Sequence, residues 1–376
     1  MNGETKAWES GSPGASSAVS NRQQQIGHPV PAKPRPRPLN LALQGGGAHG
    51  AFTWGVLDAL LERDDVEPGW LSGTSAGAIN ALALADGLAR GNDAGSGREA
   101  ARAKLRAVWE GVAAAAVPDL FSLNPFFYGF VKSASLSQMS GYFSPYQINP
   151  LGFDPLRQLL EDQIDFERVR QHEAGGDLII AATDVLTGDK RLFRRAEVTV
   201  EVALASACLP TIHHAVMIDG RAYWDGGFSA NPDLTTLASS SPHADTLLIQ
   251  LNPREVDEVP THAREITARA NTISFNQPLL REIETIRLAR AARRKWLKLG
   301  PAAVRSGPPD TRLRRIAKHR YHVIRSGEHT ASLGPTSKMT PDRAMLETLF
   351  QAGREETGVW LERCWPKVGK QDTAGW

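Results

Sequence analysis

The chain has 376 residues, of which 41% are hydrophobic, and this composition is ordinary for a globular protein with a full core. Its two cysteines, Cys208 and Cys364, exclude a disulfide framework and suit a reducing cytosol. The sequence has no apolar run of about 18 residues and no apolar N-terminal segment, so neither a membrane-spanning helix nor a secretory signal is expected. A cytoplasmic location is therefore predicted.

The formal net charge of +2 hides one strongly basic stretch. Residues 287–325 contain thirteen Lys or Arg and a single acidic residue, Asp310. A charge run of this kind is usually a solvated surface, but it also matches a patch that makes peripheral contact with an anionic membrane. Both interpretations are open at this point, and no nucleic-acid partner is expected.

Residues 1–38 are rich in Gly, Ser, Gln and Pro and end in PAKPRPRP, which predicts a disordered tail with a stiff polyproline end. A buried strand is predicted over 39–44, followed by a helix over 51–62 whose apolar residues share one side. A short strand over 70–73 and an apolar, Ala-rich helix over 75–89 repeat this order. The start of the chain therefore alternates strands with helices.

The same alternation continues along the chain. Helices are predicted over 100–112 and 154–164. Continuous apolar runs over 177–185 and 246–251 are typical of central parallel strands. Together these elements predict an α/β layer fold with a mostly parallel central sheet.

The pattern changes after residue 250. We predict an α/β domain over 39–250 and a mostly helical C-terminal extension over 251–376, whose last helix is expected over 341–365. The aromatic segment over 120–131 is too irregular for a clean core helix. It fits either a cap over an acyl groove or membrane interface, or a second hydrophobic cluster.

Three consecutive glycines, Gly45 to Gly47, follow the first strand, and Gly50 precedes the first helix. This spacing matches the dinucleotide-binding pattern G-x-G-x-x-G. That pattern also needs an acidic residue about 20 positions later, at the end of the second strand. Here the second strand ends at Ser72 and Gly73 without one, which disfavours a dinucleotide, and no cofactor is expected.

The second strand leads into GTSAG at 73–77, which is G-x-S-x-G directly before a helix. A serine on a sharp strand-to-helix turn needs small neighbours, and Gly73 and Gly77 provide them. Ser75 would then lie at the positive end of a helix with its hydroxyl exposed. Acyl transfer also needs main-chain N–H groups that face an oxyanion, and the Gly45–Gly47 loop can supply them. The two motifs together predict a serine acyl transfer enzyme.

A nucleophilic serine needs a proton acceptor. Candidates are the ten histidines and Asp225, which stands in YWDGGFSANPDL before Gly226 and Gly227. The glycine pair lets the backbone turn sharply and leaves the carboxylate at the apex, although Asp-Gly is also an ordinary turn. The residues alone leave this choice open.

Three motifs in this order, GGGAHG at 45–50, GTSAG at 73–77 and DGG at 225–227, resemble the patatin-like phospholipase family. The resemblance covers about residues 39 to 250, and the segment of about 315–350 is similar to an extension in a bacterial subgroup of that family. It implies a three-layer patatin-like α/β fold and hydrolysis of lipid acyl esters of the phospholipase A or lysophospholipase type. It implies no metal and no cofactor.

The resemblance further implies a Ser–Asp dyad without histidine. Ser75 would be the nucleophile, Asp225 the proton acceptor, and the Gly45–Gly47 loop the oxyanion hole. The family usually has Arg or Lys where this chain has His49, so the chain departs from the family at a position that carries positive charge.

Two alternatives remain from the sequence. An α/β-hydrolase triad, ordered Ser, Asp, His, would take His319, His322 or His329 as its third member. The short spacing between Gly47 and Ser75 on consecutive strands argues against it. The second alternative is a catalytically inactive lipid-binding or scaffold protein, against which the complete set of motif residues argues.

Overall fold

The structure is a computed structural model that describes residues 36–115, 144–150, 152, 154–172, 176–298, 311–331, 333, 337–338 and 341–376. Within these limits, Pro36–Trp376 forms one unit. The predicted tail up to residue 35 and the aromatic segment over 120–131 lie outside the described residues. None of the helices in the described residues is long and apolar enough to cross a lipid bilayer.

The strands, in chain order, are β1 Arg37–Leu43, β2 Val66–Gly73, β3 Leu178–Asp184, β4 Lys190–Arg194, β5 Val216–Ile218, β6 Arg221–Asp225, β7 Asp245–Gln250 and β8 Arg320–Arg325. The helices are α1 Gly50–Leu61, α2 Ala76–Leu88, α3 Ala94–Ala115, α4 Pro145–Ile148, α5 Pro155–Gln163, α6 Phe166–Gln171, α7 Val200–Ser206, α8 Thr235–Ser240, α9 Ala263–Leu297, α10 Thr311–Lys318, α11 Glu328–Ala331 and α12 Arg343–Arg363.

The eight strands of the described residues form one mixed sheet in the order β5-β6-β3-β2-β1-β7-β8, with β4 also paired to β3. The pairs from β3 to β8 along this order are parallel, whereas β4, β5 and β6 pair antiparallel. Every predicted strand is therefore present, and the mostly parallel central sheet is confirmed. The segment VMIDGRAYWD, which ends at Asp225, also predicts a strand or hairpin, and it forms the antiparallel pair β5 and β6. The antiparallel strand β4 was not predicted, because its five-residue segment carries no continuous apolar run.

The two faces of the sheet are covered by different helices, as a three-layer fold requires. On β1, Leu39, Leu41 and Leu43 point to one face and Ala42 to the other, because successive side chains of a strand alternate. The first face packs against α1, α2, α3 and α12, and the second against α8, α9 and α10. The predicted fold class is thus confirmed.

The C-terminal extension is mostly helical, as predicted, and it is also part of the main core. Strand β8 pairs in parallel with β7, and α12 packs directly on α1. The two helices touch at Gly55 and Gly353, where an added Cβ would lie 2.0 Å from the carbonyl oxygen of Phe350 and 2.1 Å from that of Phe52. The sequence did not predict β8, because its segment begins and ends with Arg. The boundary at residue 250 stays a prediction.

The sheet topology brings the three motifs to one edge. Leu43 and Gly73 are register partners at the carboxyl ends of β1 and β2, so the loops that follow them are neighbours. Asp225, at the end of antiparallel β6, pairs with Ala182 near the carboxyl end of β3. Ligands of open α/β sheets bind at this carboxyl edge, and the candidate site therefore lies there.

Candidate active site

Ser75 occupies a strained turn between β2 and α2. Its backbone has φ 54° and ψ −126°, a region that side-chain-bearing residues rarely adopt and that costs about 1–3 kcal/mol. The turn is held by the Ser206 hydroxyl, which accepts the Ser75 N–H at 3.0 Å, and by the Thr74 hydroxyl, which donates to the Ala230 carbonyl at 2.7 Å. This geometry is the one expected of a nucleophilic serine at the start of a helix.

The glycines around Ser75 are required by close backbone packing. An added Cβ on Gly73 would lie 2.6 Å from the carbonyl oxygen of Gly77, and one on Gly77 would lie 2.1 Å from that of Leu43. On α1, a Cβ on Gly50 would lie 2.7 Å from the Cβ of Ala76. These glycines let the turn sit against the end of β1 and let α1 approach the start of α2.

Asp225 is buried, with 1% of its surface exposed, at the end of β6. Its Oδ1 accepts the N–H of Gly227 at 2.7 Å, and its own N–H donates to the Cys208 carbonyl at 2.8 Å. Gly226 lies so close to β3 that an added Cβ would be 2.3 Å from the Ala181 carbonyl oxygen. The predicted Asp-Gly-Gly turn therefore fixes the carboxylate tightly against the sheet.

Burial raises the pKa of the Asp225 carboxyl to about 7, against the opposing effects of the Gly227 N–H and the Ser75 hydroxyl. The second oxygen, Oδ2, accepts no hydrogen bond of standard geometry among the described residues. The Ser75 hydroxyl is nevertheless near enough to stabilise the ionised form. Asp225 is thus a buried, basic carboxylate with one oxygen open and Ser75 as its neighbour.

The glycine loop lies directly against the serine. An added Cβ on Gly45 would be 2.9 Å from the Cβ of Ser75. The Gly45 N–H donates to Asn231 Oδ1 at 2.8 Å, so it is already bound within the protein. Asn231 in turn donates its Nδ2 to the Phe275 carbonyl at 3.0 Å. Gly45 therefore anchors the loop, and any free donors come from the residues after it.

Gly46 and Gly47 carry main-chain N–H groups that donate to no acceptor among the described residues. Gly47 has φ +58°, and an added Cβ there would lie 2.3 Å from the Lys338 carbonyl oxygen. The N–H of Ala76, the first residue of α2, likewise donates to no acceptor within the described chain, because helix starts leave such groups unpaired. Asn231 and Ser206 were not predicted, since a partner distant in sequence leaves no local pattern. Ala76 stands inside GTSAG, but its N–H was not predicted as a donor.

His49 is neutral in this structure. Burial, together with the charge of Lys338, lowers the pKa of the His49 imidazole to about 4. Its Nε2 is 2.7 Å from the Ser337 hydroxyl. The family position that usually carries a positive charge therefore carries none here at neutral pH.

The three C-terminal histidines have other partners. The Nε2 atom of His319 is 2.7 Å from the Thr246 hydroxyl, and that of His322 is 3.1 Å from Asp245 Oδ1. The Nε2 atom of His329 is 3.3 Å from a carboxylate oxygen of Glu356. Burial lowers the pKa of His319 to about 3. Within the described chain, none of these histidines forms a hydrogen bond with Ser75 or Asp225.

Within its described residues the basic stretch is partly internal, and two of its cations, Arg290 and Arg320, lie toward the amino ends of β7 and β8. Arg290 donates to the carbonyl of His319 at 3.2 Å and pairs with Asp372. Arg320 pairs with Asp245 at 2.6 Å, at the amino end of β7. In the parts of the chain that the structure describes, no cluster of His, Cys, Asp and Glu could hold a metal ion.

No match is found among the curated proteins. Among solved structures, VipD from Legionella pneumophila is 15% identical with a TM-score of 0.38, and the alignment covers 87% of this chain and 67% of VipD. ExoU of Pseudomonas aeruginosa, solved in complex with SpcU, is 20% identical with a TM-score of 0.25, over 66% of this chain and 52% of ExoU. The chain thus aligns with about half to two thirds of these proteins.

One family model matches residues 41–238, which is more than half of the chain and includes all three motifs. That model describes the patatin-like phospholipases. The chain therefore belongs to the patatin-like phospholipase family, and it is a lipid acyl hydrolase.

Proposed function

We propose that the protein hydrolyses lipid carboxylic esters of the phospholipase A or lysophospholipase type through a Ser75–Asp225 dyad. The observation that carries this proposal is the pairing of a strained serine with a buried carboxylate whose Oδ2 is open and whose pKa is about 7. A carboxylate in water is a weak base, whereas one with a pKa near neutrality can accept a proton at the working pH.

In the first half of the reaction, Asp225 accepts the hydroxyl proton while Ser75 Oγ attacks the ester carbonyl carbon. The carbonyl oxygen becomes an oxyanion, and its collapse breaks the bond to the leaving alkoxide, which takes the proton from Asp225. Water then attacks the acyl-enzyme, with Asp225 again accepting and returning the proton. The fatty acid leaves and the Ser75 hydroxyl is restored.

The oxyanion needs preorganised donors close to Ser75. We assign this role to the N–H groups of Gly46 and Gly47 and add that of Ala76, since these groups are unpaired beside the serine in the described structure. Gly45 anchors the oxyanion loop but does not donate to the oxyanion, because its own N–H donates to Asn231. This arrangement refines the donor set that the family resemblance implies.

Peripheral contact with anionic lipid through residues 287–325 stays part of the proposal. The stretch offers exposed cations such as Arg294 and Lys295 on α9. Such cations attract an anionic surface by about 1 kcal/mol each. The cytoplasmic location likewise stays a prediction.

Two rival functions are less well supported. The triad needs a histidine beside Ser75, but His319, His322 and His329 contact Thr246, Asp245 and Glu356 instead. An inactive lipid-binding protein would have no need for a strained serine next to a carboxylate of raised pKa.

The test uses the full chain and a fluorophosphonate probe, followed by mapping of the adduct. We expect one adduct, on Ser75, and release of fatty acid from phosphatidylcholine vesicles by the wild type. Ser75→Ala should lose this hydrolysis and keep its melting temperature. Full hydrolysis by Ser75→Ala would overturn the proposal. Ser229→Ala serves as the matched control, because its hydroxyl contacts Thr183, which donates to the Asp225 main-chain carbonyl, and its backbone has an ordinary φ of −124°.

A further inference from the structure

Two residues of the C-terminal extension, Ser337 and Lys338, contact the glycine loop. The Lys338 carbonyl accepts the N–H of Ala48 at 2.9 Å, and the Ser337 hydroxyl is 2.7 Å from Nε2 of His49. The same carbonyl lies where any side chain on Gly47 would have to go. The main chain of this dipeptide therefore fixes the second half of the loop.

The side chain of Lys338 reaches the first half of the loop through one intermediary. Its Nζ donates to Asn252 Oδ1 at 2.6 Å, and Asn252 Nδ2 donates to the Gly45 carbonyl at 3.2 Å. Asn252 is buried, and its own N–H donates to Gln44 Oε1 at 2.9 Å, so its amide has little freedom to turn.

The Gly45 carbonyl and the Gly46 N–H belong to one peptide unit. A hydrogen bond to the carbonyl of a peptide polarises the unit and strengthens its N–H as a donor, and chains of such bonds reinforce each other in a medium of low dielectric. The ammonium of Lys338 therefore lies at the head of a chain that runs through Asn252 and the Gly45–Gly46 peptide to a candidate oxyanion donor.

We propose that Lys338 is a positioning residue of the oxyanion hole, which holds the glycine loop through its carbonyl and polarises the Gly46 N–H through Asn252. It would supply from the C-terminal extension the positive charge that His49 does not supply. This inference rests on the proposed function, because it concerns the same oxyanion hole.

The protonation state of Lys338 predicts a pH dependence of turnover. Burial lowers the pKa of the Lys338 amine to about 8. The titratable group that faces it from the glycine loop is His49, which is neutral above about pH 4, while the end of β7 presents the uncharged Asn252. Lys338 is therefore charged below about pH 8 and loses its charge above it, so turnover should fall as the pH rises through about 8.

The experiment measures the rate at which a fluorophosphonate labels Ser75, together with kcat and KM for para-nitrophenyl butyrate. Lys338→Met should lower the labelling rate and kcat at least about tenfold and change KM by less than about twofold. Lys338→Arg should restore most of the rate and remove the alkaline fall near pH 8, because its guanidinium stays charged. Lys367→Met, at an exposed lysine, is the control and should match the wild type.

Three results would overturn the inference. The first is a labelling rate of Lys338→Met equal to that of the wild type. The others are a fall in rate near pH 8 that is unchanged in Lys338→Arg, or a wild type that shows no such fall. If Lys338→Met does not fold, the wild-type and Lys338→Arg profiles decide the question. The proposed function fails separately, by retention of activity in Ser75→Ala. A dead Ser75→Ala with a fully active Lys338→Met would remove the role of Lys338 alone.

Discussion

Two buried aspartates at opposite edges of the sheet differ in almost every property except burial. Asp225, at the carboxyl edge, has one open oxygen and a pKa raised by burial to about 7. For Asp245, at the amino end of β7, burial also pushes the pKa up, but hydrogen bonds from His322 and Arg320 outweigh it and hold the pKa well below its usual range. The N–H of Gly369 adds a further bond at 3.0 Å.

The difference shows that partners, and not burial, decide what a buried carboxylate does. Asp245 is fully satisfied, so its charge stabilises the contact of β7 with β8 and the chain end. Asp225 is satisfied on one oxygen only, so its charge is costly and available for reaction. His322 illustrates the same rule, because its ring contacts Asp245 and the Thr373 hydroxyl and is engaged far from the serine.

The largest expected effect is the loss of Ser75 reactivity when Asp225, but not Asp245, is replaced. Asp225→Asn should lower the rate of Ser75 labelling by at least about 10³-fold, because an amide cannot accept the proton. Asp245→Asn should change the labelling rate of folded protein by less than about threefold. Equal losses in the two variants would show that Asp225 has no special role as a base.

The second effect concerns the stability that Asp245 provides. Asp245→Asn should lower the free energy of unfolding at neutral pH by about 2–4 kcal/mol, because His322 and Arg320 lose a buried charged partner. The pKa of this carboxyl is lowered in the folded state, so its contribution is present above about pH 4 and is lost as the pH falls below that value. Urea unfolding at several pH values measures it. An unchanged midpoint in the variant would contradict the stabilising role.

The third effect has the opposite sign. The pKa of Asp225 is raised in the folded state. The stability that its neutral form contributes to the protein is therefore fully present below about pH 4 and is lost as the pH rises through about 7. Asp225→Asn should therefore raise the free energy of unfolding by about 1–4 kcal/mol above pH 7 and change it little near pH 4. Urea unfolding in the two buffers checks this, and a destabilised variant at high pH would refute it.

The smallest effect concerns the basic stretch. Reversing Arg293, Arg294 and Lys295 to Glu should weaken binding to anionic vesicles at least about tenfold, an effect that salt reduces, and spare hydrolysis of a soluble ester. These residues follow Arg290, which bonds to His319 away from the serine. Vesicle sedimentation measures the binding, with zwitterionic vesicles as the control. Unchanged binding would make the stretch an ordinary solvated surface.

The sequence predicts the parts of this molecule in which one local pattern carries the structure. Apolar runs identify β1, β3 and β7, and the small residues of GTSAG identify the turn at Ser75, since both signals lie within a few residues. It does not predict β8, whose two ends are charged and whose burial depends on β7. The contacts of Asn231 and Asn252 with Gly45 span 186 and 207 positions of sequence, and Lys338 contacts Asn252 across 86 positions, so no local pattern reveals them.

The raised pKa of Asp225 illustrates the same limit. An Asp-Gly-Gly turn is visible in the sequence, but the burial that makes its carboxylate basic comes from β3 and the loop after β2. The neutral state of His49 is likewise a tertiary effect. Residue identities could be predicted, whereas their protonation states required the fold.

The central claim is that Asp225 is the base of Ser75, and the pH dependence of Ser75 labelling tests it most directly. The rate of fluorophosphonate labelling, measured from about pH 5 to about pH 8, should rise through an apparent pKa of about 7 as Asp225 ionises. The same rise should remain in His319→Ala, His322→Ala and His329→Ala. A rate that does not change over this range, or a rise that disappears in one of the histidine variants, would contradict the dyad.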